Sequence, residues 1–209
     1  KTAAHMLEVS EQDLELSDGE ISVKGVPELS VSLSDVAKAL SGAVGYPRPK
    51  DVPPGLEATV NFLPTGLTYG NGVHVVEVHV DIGTGGVEIT RYVVVNDSGR
   101  LINPLIAEGQ IIGGVAHGIG NSLFEWMGYD ETGQPVTTTF AEYLLPTAPV
   151  VPNIEIIHHE TPSTVNPLGV KGVGEAGVIP AAPAIMSAIE DALKPFGVRI
   201  SETPISPPQ

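Results

Sequence analysis

A glycine-rich segment near the end of the chain, residues 166–177, contains a single carboxylate, Glu175. A carboxylate is an effective general base when its pKa lies near the working pH, and a dry pocket raises the pKa of a glutamate. Glycines expose backbone N–H groups without side-chain bulk, which allows a cofactor to approach closely. The segment therefore predicts a catalytic base, Glu175, set in a cradle for a cofactor.

The same segment also matches a second motif, G-x-G-x-x-G at Gly172, Gly174 and Gly177. That motif is the fingerprint of dinucleotide binding, and it requires a strand before the first glycine and a phosphate on the following helix. Residues 161–169 contain two prolines and no strand pattern, and Glu175 would place a negative charge beside the phosphates. We prefer the catalytic interpretation and keep a nucleotide-binding module as the alternative.

The composition excludes several classes of function. The chain has 209 residues, a formal net charge of −15 and no cysteine. The negative charge disfavours nucleic acid and anionic membrane as partners. Without cysteine, the chain holds no disulfide, thiolate metal site or iron–sulfur cluster of its own. No apolar run is long enough for a membrane span, and a cytoplasmic location is expected.

Local patterns predict the first elements. Asp18-Gly19 between two short alternating segments predicts a hairpin, and Ser34 is the predicted N-cap of a helix that reaches Leu40. Residues 41–55 are rich in proline and glycine and form the best internal boundary within one region, 1–209. Both ends look cut, which suggests a fragment or one piece of a split chain.

Longer elements follow. Residues 73–80 alternate apolar and polar side chains, with His74 and His79 expected on the solvent side. A second strand returns over residues 87–95, and its predicted common face consists of Val87, Ile89, Arg91, Val93 and Val95. A glycine-rich helix is predicted from Ala107 to Met127, where so many glycines indicate close approach by a helix or a ligand.

The last predicted elements are a strand over residues 154–158 and a helix over residues 181–193. The pair His158-His159 predicts no metal site, because adjacent residues on a strand point to opposite faces. Together the elements predict an α+β fold with a mixed, mainly antiparallel sheet and helices packed on it.

Three segments, residues 108–120, 161–169 and 170–177, together resemble one family. In this order they are similar to the C-terminal part of the molybdenum-binding subunit of the xanthine oxidase family of molybdenum hydroxylases. The resemblance extends over essentially all 209 residues. The stretch over residues 161–169 most resembles the carbon monoxide dehydrogenase-like and the bacterial aldehyde or N-heterocycle branches.

The resemblance implies a role for each site residue. In such enzymes a pterin holds the molybdenum, so no metal ligand is expected from this chain. The loop glutamate, here Glu175, removes a proton from a molybdenum-bound hydroxide that attacks the substrate carbon. The helix glutamine, here Gln110, hydrogen-bonds the pterin, and Val173 binds it through its backbone. Gly172 and Gly174 complete the implied cofactor contacts.

The resemblance also implies the setting of the activity. It implies oxidation of an aldehyde, an N-heterocycle or a related small molecule, with water as the oxygen donor. A 2Fe-2S subunit, a flavin (FAD) subunit and the rest of the molybdenum subunit are the implied partners, in a dimer of heteromers. The pterin form, plain or cytosine dinucleotide, stays open. A carbon monoxide dehydrogenase-like or hydroxybenzoyl-CoA reductase-like relative and a cofactor-free structural remnant are further alternatives.

Overall fold

The computed structural model describes residues 1–46, 48–57 and 59–205. The chain forms two compact units, Lys1–Phe62 and Leu63–Gln209. Each unit contains its own three-stranded sheet. Helices accompany both sheets, as expected for the predicted α+β class. Among the described residues, every helix is too short or too polar to cross a membrane.

The first unit places two helices beside an antiparallel sheet. Its elements are α1 (Thr2–Leu7), a 3₁₀ turn (Glu11–Asp13), β1 (Leu14–Ser17), β2 (Glu20–Val23), β3 (Val26–Ser32) and α2 (Leu33–Ser41). The predicted hairpin is confirmed, since β1 pairs antiparallel with β2. Asp18 and Gly19 both have positive φ, which the tight turn between the strands requires. Ala3, Val36 and Leu40 form the buried centre of this unit.

The predicted N-cap of α2 is wrong by two residues. The Asp35 backbone N–H donates to Oγ of Ser32 at 3.0 Å, and Ser32 has extended backbone angles. Ser34 lies inside the helix instead. Ser32 is favoured as the cap because its hydroxyl also donates to the Asp35 carboxylate at 2.9 Å, which holds the Ser32 side chain over the helix N-terminus.

The second unit carries the candidate site. Its elements are β4 (Asn71–Asp81), β5 (Gly86–Asp97), α3 (Pro104–Leu123), a 3₁₀ turn (Ala148–Val150), β6 (Ile154–His158), α4 (Ala181–Ala192) and a 3₁₀ turn (Lys194–Phe196). The strand order is β4-β5-β6, with β4 antiparallel and β6 parallel to β5. The mixed, mainly antiparallel sheet is thus confirmed. Helix α3 begins three residues earlier and ends four residues earlier than predicted, because Asn103 caps it at Ile106 and Phe124 leaves helical geometry.

A β-bulge changes which face of β5 is buried. Ile89 pairs with Val78 and Arg91 with Glu77, so Thr90 is an extra residue without an opposite partner. An extra residue reverses the alternation beyond it. The predicted common face is therefore wrong after Ile89: Arg91 is exposed, and Tyr92 and Val94 are fully buried.

The core of this unit lies between the sheet and the two helices. Its fully buried members are Tyr92 and Val94 from β5, with Ile111, Val115, Ile119, Ile185 and Ile189 from the helices. Two glycines of α3 allow close packing. A Cβ on Gly114 would lie 2.8 Å from the Cα of Gly177, and one on Gly118 would overlap Ala181. The predicted close approach is confirmed at these two positions, and the approaching element is the segment that leads into α4.

Candidate functional site

The glycine-rich segment is attached to the end of β5 by its backbone. Gly99 and Val170 form an isolated antiparallel bridge, and the Lys171 N–H donates to the Ser98 carbonyl at 2.8 Å. The Asn166 side chain closes the preceding turn, because it donates to the Val170 carbonyl and accepts from the Val170 N–H. These bonds fix the base of the segment on the sheet.

A buried ionic cluster reinforces this attachment. The Lys171 ammonium lies 2.7 Å from the Asp97 carboxylate and donates to Oγ1 of Thr161 at 2.6 Å. Oγ1 of Thr161 in turn donates to Asp97, and the N–H groups of Thr161 and Gly99 donate to the same carboxylate. Burial by itself raises the pKa of Asp97, but the hydrogen bonds from Lys171 and Thr161 outweigh it and hold the pKa well below its usual value. Asp97 is therefore ionised and Lys171 has a fixed partner.

Glu175 lines an open cleft beside the segment. The cleft has a volume of about 340 Å³, and its lining residues are Thr68, Tyr69, Gly70, Asn71, Gly72, Gly172, Gly174, Glu175, Ala176, Ile179 and Pro180. The Glu175 side chain is exposed in this chain. Among the described residues, its carboxylate has no hydrogen-bond or ion-pair partner. The sequence-based expectation of a dry pocket is therefore not met by residues 1–205 alone, and the carboxylate is accessible to a ligand in the cleft.

A direct hydrogen bond joins Gln110 to Gly174, the residue before Glu175. The side-chain Nε2 of Gln110 donates to the Gly174 carbonyl at 2.9 Å, which joins α3 to the segment. One N–H and the carbonyl oxygen of this amide are left for another partner. The structure thus places Gln110 and Gly174 in contact, as a shared cofactor site requires.

The backbone of the segment can accept a polar ligand. Among the described residues, the N–H groups of residues 172–175 donate no hydrogen bond. A Cβ added to Gly172 or Gly174 meets nothing within 4 Å, so both glycines border open space. A Cβ on Gly70 would lie 2.5 Å from the Gly172 carbonyl, so only glycine fits the opposite wall. Consecutive free donors beside two open glycines fit the polar edge of a pterin.

Val173 is positioned differently from its neighbours. Its side chain packs against the core that includes Tyr92 and Ile185, while its carbonyl accepts from the Ala176 N–H at 3.3 Å. Its own N–H is among the free donors. The side chain therefore anchors the segment, and only the backbone N–H is available to a cofactor.

His74 contacts the segment from β4. Its Nε2 lies 3.1 Å from the Ala176 carbonyl and its Nδ1 lies 2.8 Å from the Tyr92 hydroxyl. The prediction that His74 faces solvent is wrong, because it shares the half-buried face of β4 with Val76, Val78 and Val80. Burial lowers the pKa of His74, although the bond to Ala176 opposes this. The position of His74, two residues before Val76, is the sequence signal for this burial.

The nucleotide alternative lacks its structural context. Residues 159–169 form no strand, and the only bridge near Gly172 is the single pair at Val170. Helix α4 begins at Ala181, after Pro180, and its N-terminus has no side-chain cap. The three fingerprint glycines are therefore not a strand-to-helix turn.

Comparison with known proteins places the chain in one family. The family model described as "Molybdopterin cofactor-binding domain" matches residues 1–152. The nicotine 6-hydroxylase large subunit of Paenarthrobacter nicotinovorans is 45% identical over 98% of this chain and 25% of its own length. The carbon monoxide dehydrogenase large chain of Hydrogenophaga pseudoflava is 35% identical over 98% of this chain and 25% of its own length.

Solved structures agree with these relatives. Quinoline 2-oxidoreductase from Pseudomonas putida 86 matches with a TM-score of 0.92 and 41% identity, over 99% of this chain and 26% of that chain. A Cu,Mo-CO dehydrogenase matches with a TM-score of 0.87 and 33% identity, over 99% of this chain and 25% of that chain. The chain spans about a quarter of the length of the relatives it matches. The segment 166–177 lies beyond the matched family model but within the matched part of these relatives.

Proposed function

The chain belongs to the molybdopterin cofactor-binding subunits of the xanthine oxidase family, and we propose that it supplies the catalytic base of a molybdenum hydroxylase. The observation that carries this proposal is the contact of Gln110 with Gly174, the residue before Glu175. It connects helix α3 to the backbone next to Glu175, which supports a shared site for the two residues. The matched molybdopterin-binding family model and the similarity to a Cu,Mo-CO dehydrogenase support a molybdenum site.

The residues that would hold the cofactor are Gln110 and the backbone of Gly172, Val173 and Gly174. Gln110 would use its remaining N–H and its carbonyl oxygen, and the backbone would use its free N–H groups. When bound, the molybdenum cofactor supplies a two-electron acceptor and an activated oxygen derived from water. The absence of cysteine in this chain fits a metal held by the cofactor rather than by protein thiolates.

Glu175 is the proposed proton acceptor. Its carboxylate lines the cleft and has no other partner among the described residues, so an oxygen lone pair is available. A carboxylate in contact with bulk water is a weak base, because hydration stabilises its charged form relative to the protonated form. We propose that cofactor, substrate and the rest of the protein cover the cleft and give Glu175 the dry surroundings it needs.

The proposed substrate is an electron-poor N-heterocycle. Two relatives named for such substrates, nicotine 6-hydroxylase and quinoline 2-oxidoreductase, are 45% and 41% identical to this chain. The carbon monoxide dehydrogenases are 35% and 36% identical. This order favours ring hydroxylation beside a nitrogen over oxidation of carbon monoxide.

The electrons would leave through other chains or segments. The relatives include proteins named as large or gamma subunits, which indicates assembly with further subunits. We propose an iron–sulfur subunit with 2Fe-2S clusters and a flavin subunit as those partners. Cysteine ligands for such clusters must come from outside this chain, which has none.

The experiment that tests this function compares the whole complex with a Glu175→Gln variant. The variant should retain molybdenum and pterin but lose turnover of quinoline or nicotine by about a thousandfold, since general base catalysis contributes 10²–10⁴-fold. Glu131→Gln in an exposed turn is the control and should leave turnover unchanged. Molybdenum analysis and fluorescence of the released pterin measure the cofactor.

Two results would contradict the proposal. Full turnover in Glu175→Gln would reject the base assignment. A complex without molybdenum or pterin that instead binds a dinucleotide would favour the nucleotide module.

A further inference from the structure

The two carbonyl groups on either side of Glu175 are each held by a side chain from a different element. Gln110 on α3 donates to the Gly174 carbonyl at 2.9 Å, and His74 on β4 donates to the Ala176 carbonyl at 3.1 Å. The Glu175 carboxylate has no side-chain partner among the described residues. The position from which its side chain extends is therefore set by the backbone that these two donors hold.

We propose that His74 is a positioning residue that fixes the Glu175 backbone through the Ala176 carbonyl, a role that rests on the proposed base function of Glu175. His74 acts from β4, which pairs with the central strand β5 of the sheet. His74 lies opposite Val94 in the β4–β5 ladder, and Val94 is fully buried. A donor on this strand thus ties the segment to the core.

The tautomer of His74 follows from its two partners. A carbonyl oxygen only accepts, so the imidazole Nε2 that faces Ala176 must carry the proton. Nδ1 is then the acceptor, and the Tyr92 hydroxyl donates to it at 2.8 Å. Tyr92 is fully buried, and its ring meets the imidazole edge-on, with centroids 5.6 Å apart. The Ala176 carbonyl therefore fixes the tautomer of His74, and the Tyr92 hydroxyl is compatible with it because it can donate to Nδ1.

The backbone around Ala176 is also held by hydrogen bonds within the segment and by close packing against α3. The Glu175 carbonyl accepts from the N–H groups of Val178 and Ile179 at 3.2 Å, which forms a tight turn around Ala176. On the next residue, a Cβ added to Gly177 would overlap the Ile111 carbonyl of α3, so the backbone there has no room to shift. Release of the Ala176 carbonyl would let the turn rotate toward the open cleft.

The test uses the full-length holoenzyme with four variants. His74→Leu removes both hydrogen bonds, and His74→Gln keeps one donor and one acceptor. The double variant His74→Leu with Tyr92→Phe removes the bonds without leaving a buried hydroxyl unpaired. His79→Leu is the matched control, since His79 is an exposed histidine on the same strand and does not touch the segment.

Three measurements are made on each variant. The first is kcat and KM, the second is molybdenum per protomer, and the third is hydrogen exchange of the peptide that covers residues 173–180. His74→Leu and the double variant should lose kcat by about tenfold to a hundredfold, since a shift of about 1 Å has that effect. KM and molybdenum content should stay unchanged, and the Val178 and Ile179 amides should exchange faster. His74→Gln should recover most of the kcat, and His79→Leu should match the wild type.

The outcomes separate this role from the proposed base. Unchanged exchange of residues 173–180 and wild-type kcat in both leucine variants would overturn the role of His74. Turnover retained in Glu175→Gln, together with faster exchange in His74→Leu, would reject Glu175 as the base. It would still support the role of His74 in fixing the backbone of the segment. A loss of kcat in His74→Gln equal to that in His74→Leu would also overturn it, because the rescue depends on the restored donor.

Discussion

The Lys171 ammonium lies 2.7 Å from the Asp97 carboxylate, and the two side chains connect the glycine-rich segment to the end of β5. Both are largely buried, with 13% and 11% of their side-chain surface exposed. This pair joins residues 74 positions apart in the chain. Four residues beyond Lys171 lies Glu175, so the pair sets where the candidate site begins.

Removal of one partner should destabilise the protein strongly. Lys171→Met leaves the Asp97 charge buried without its cation, and breaking such a pair costs about 3 kcal/mol or more. Urea denaturation of the full-length protein measures the free energy of unfolding. Lys38→Met is the control, because its ion pair with Asp35 is solvent-exposed and its loss should change the free energy of unfolding far less. Adding Asp97→Asn to Lys171→Met should cost less than the sum of the two; strict additivity would show that the residues are not coupled.

The low pKa of Asp97 predicts how stability depends on pH. Its pKa in the folded state lies below the ordinary value, so its contribution to stability is fully present above about pH 4. That contribution is lost as the pH falls further toward the folded pKa. Melting temperatures of the wild type should therefore drop more steeply than those of Asp97→Asn as the pH falls below about 4. Parallel curves for the two proteins would contradict the assignment.

The close packing of α3 predicts opposite effects for two glycines. Gly118→Ala places a methyl group onto Ala181 and should lower the free energy of unfolding by about 1–3 kcal/mol. Gly113→Ala meets nothing within 4 Å and should raise it by up to about 1 kcal/mol, because alanine is the better helix former. Equal effects at both positions, measured by urea denaturation, would argue against the close packing of α3 on the start of α4.

Gln110 should affect both the retention of the cofactor and the attachment of the glycine-rich segment to α3. Gln110→Leu removes the bond to Gly174 and the proposed contacts to the pterin. Two lost hydrogen bonds of about 1 kcal/mol each correspond to a roughly 30-fold weaker hold on the cofactor. Molybdenum and pterin per protomer after dialysis measure this, with Gln134→Leu in an exposed turn as the control. Full cofactor content in the Gln110→Leu complex would show that Gln110 does not help to hold the cofactor.

Several elements could be predicted from local patterns alone. The Asp18-Gly19 hairpin, the strand Ile154–His158 and the start of α4 at Ala181 agree with the structure because turn residues and periodicity act within a few residues. The buried face of β5 could not be predicted, since the bulge at Thr90 depends on pairing with Glu77 and Val78 of β4. The cap of α2 shifted to Ser32 because two serines competed and a mutual bond with Asp35 decided between them.

The sequence by itself determined the family, the mixed fold, and the segment that carries Glu175, because glycine spacing and one isolated acid are local features of the chain. Only the tertiary structure decided what holds that segment. Lys171 reaches Asp97, Gln110 reaches Gly174, and His74 reaches Ala176 across at least 64 residues of chain. Such contacts form only when the strands and helices pack, because hydrogen bonds between distant residues depend on the geometry of the whole core.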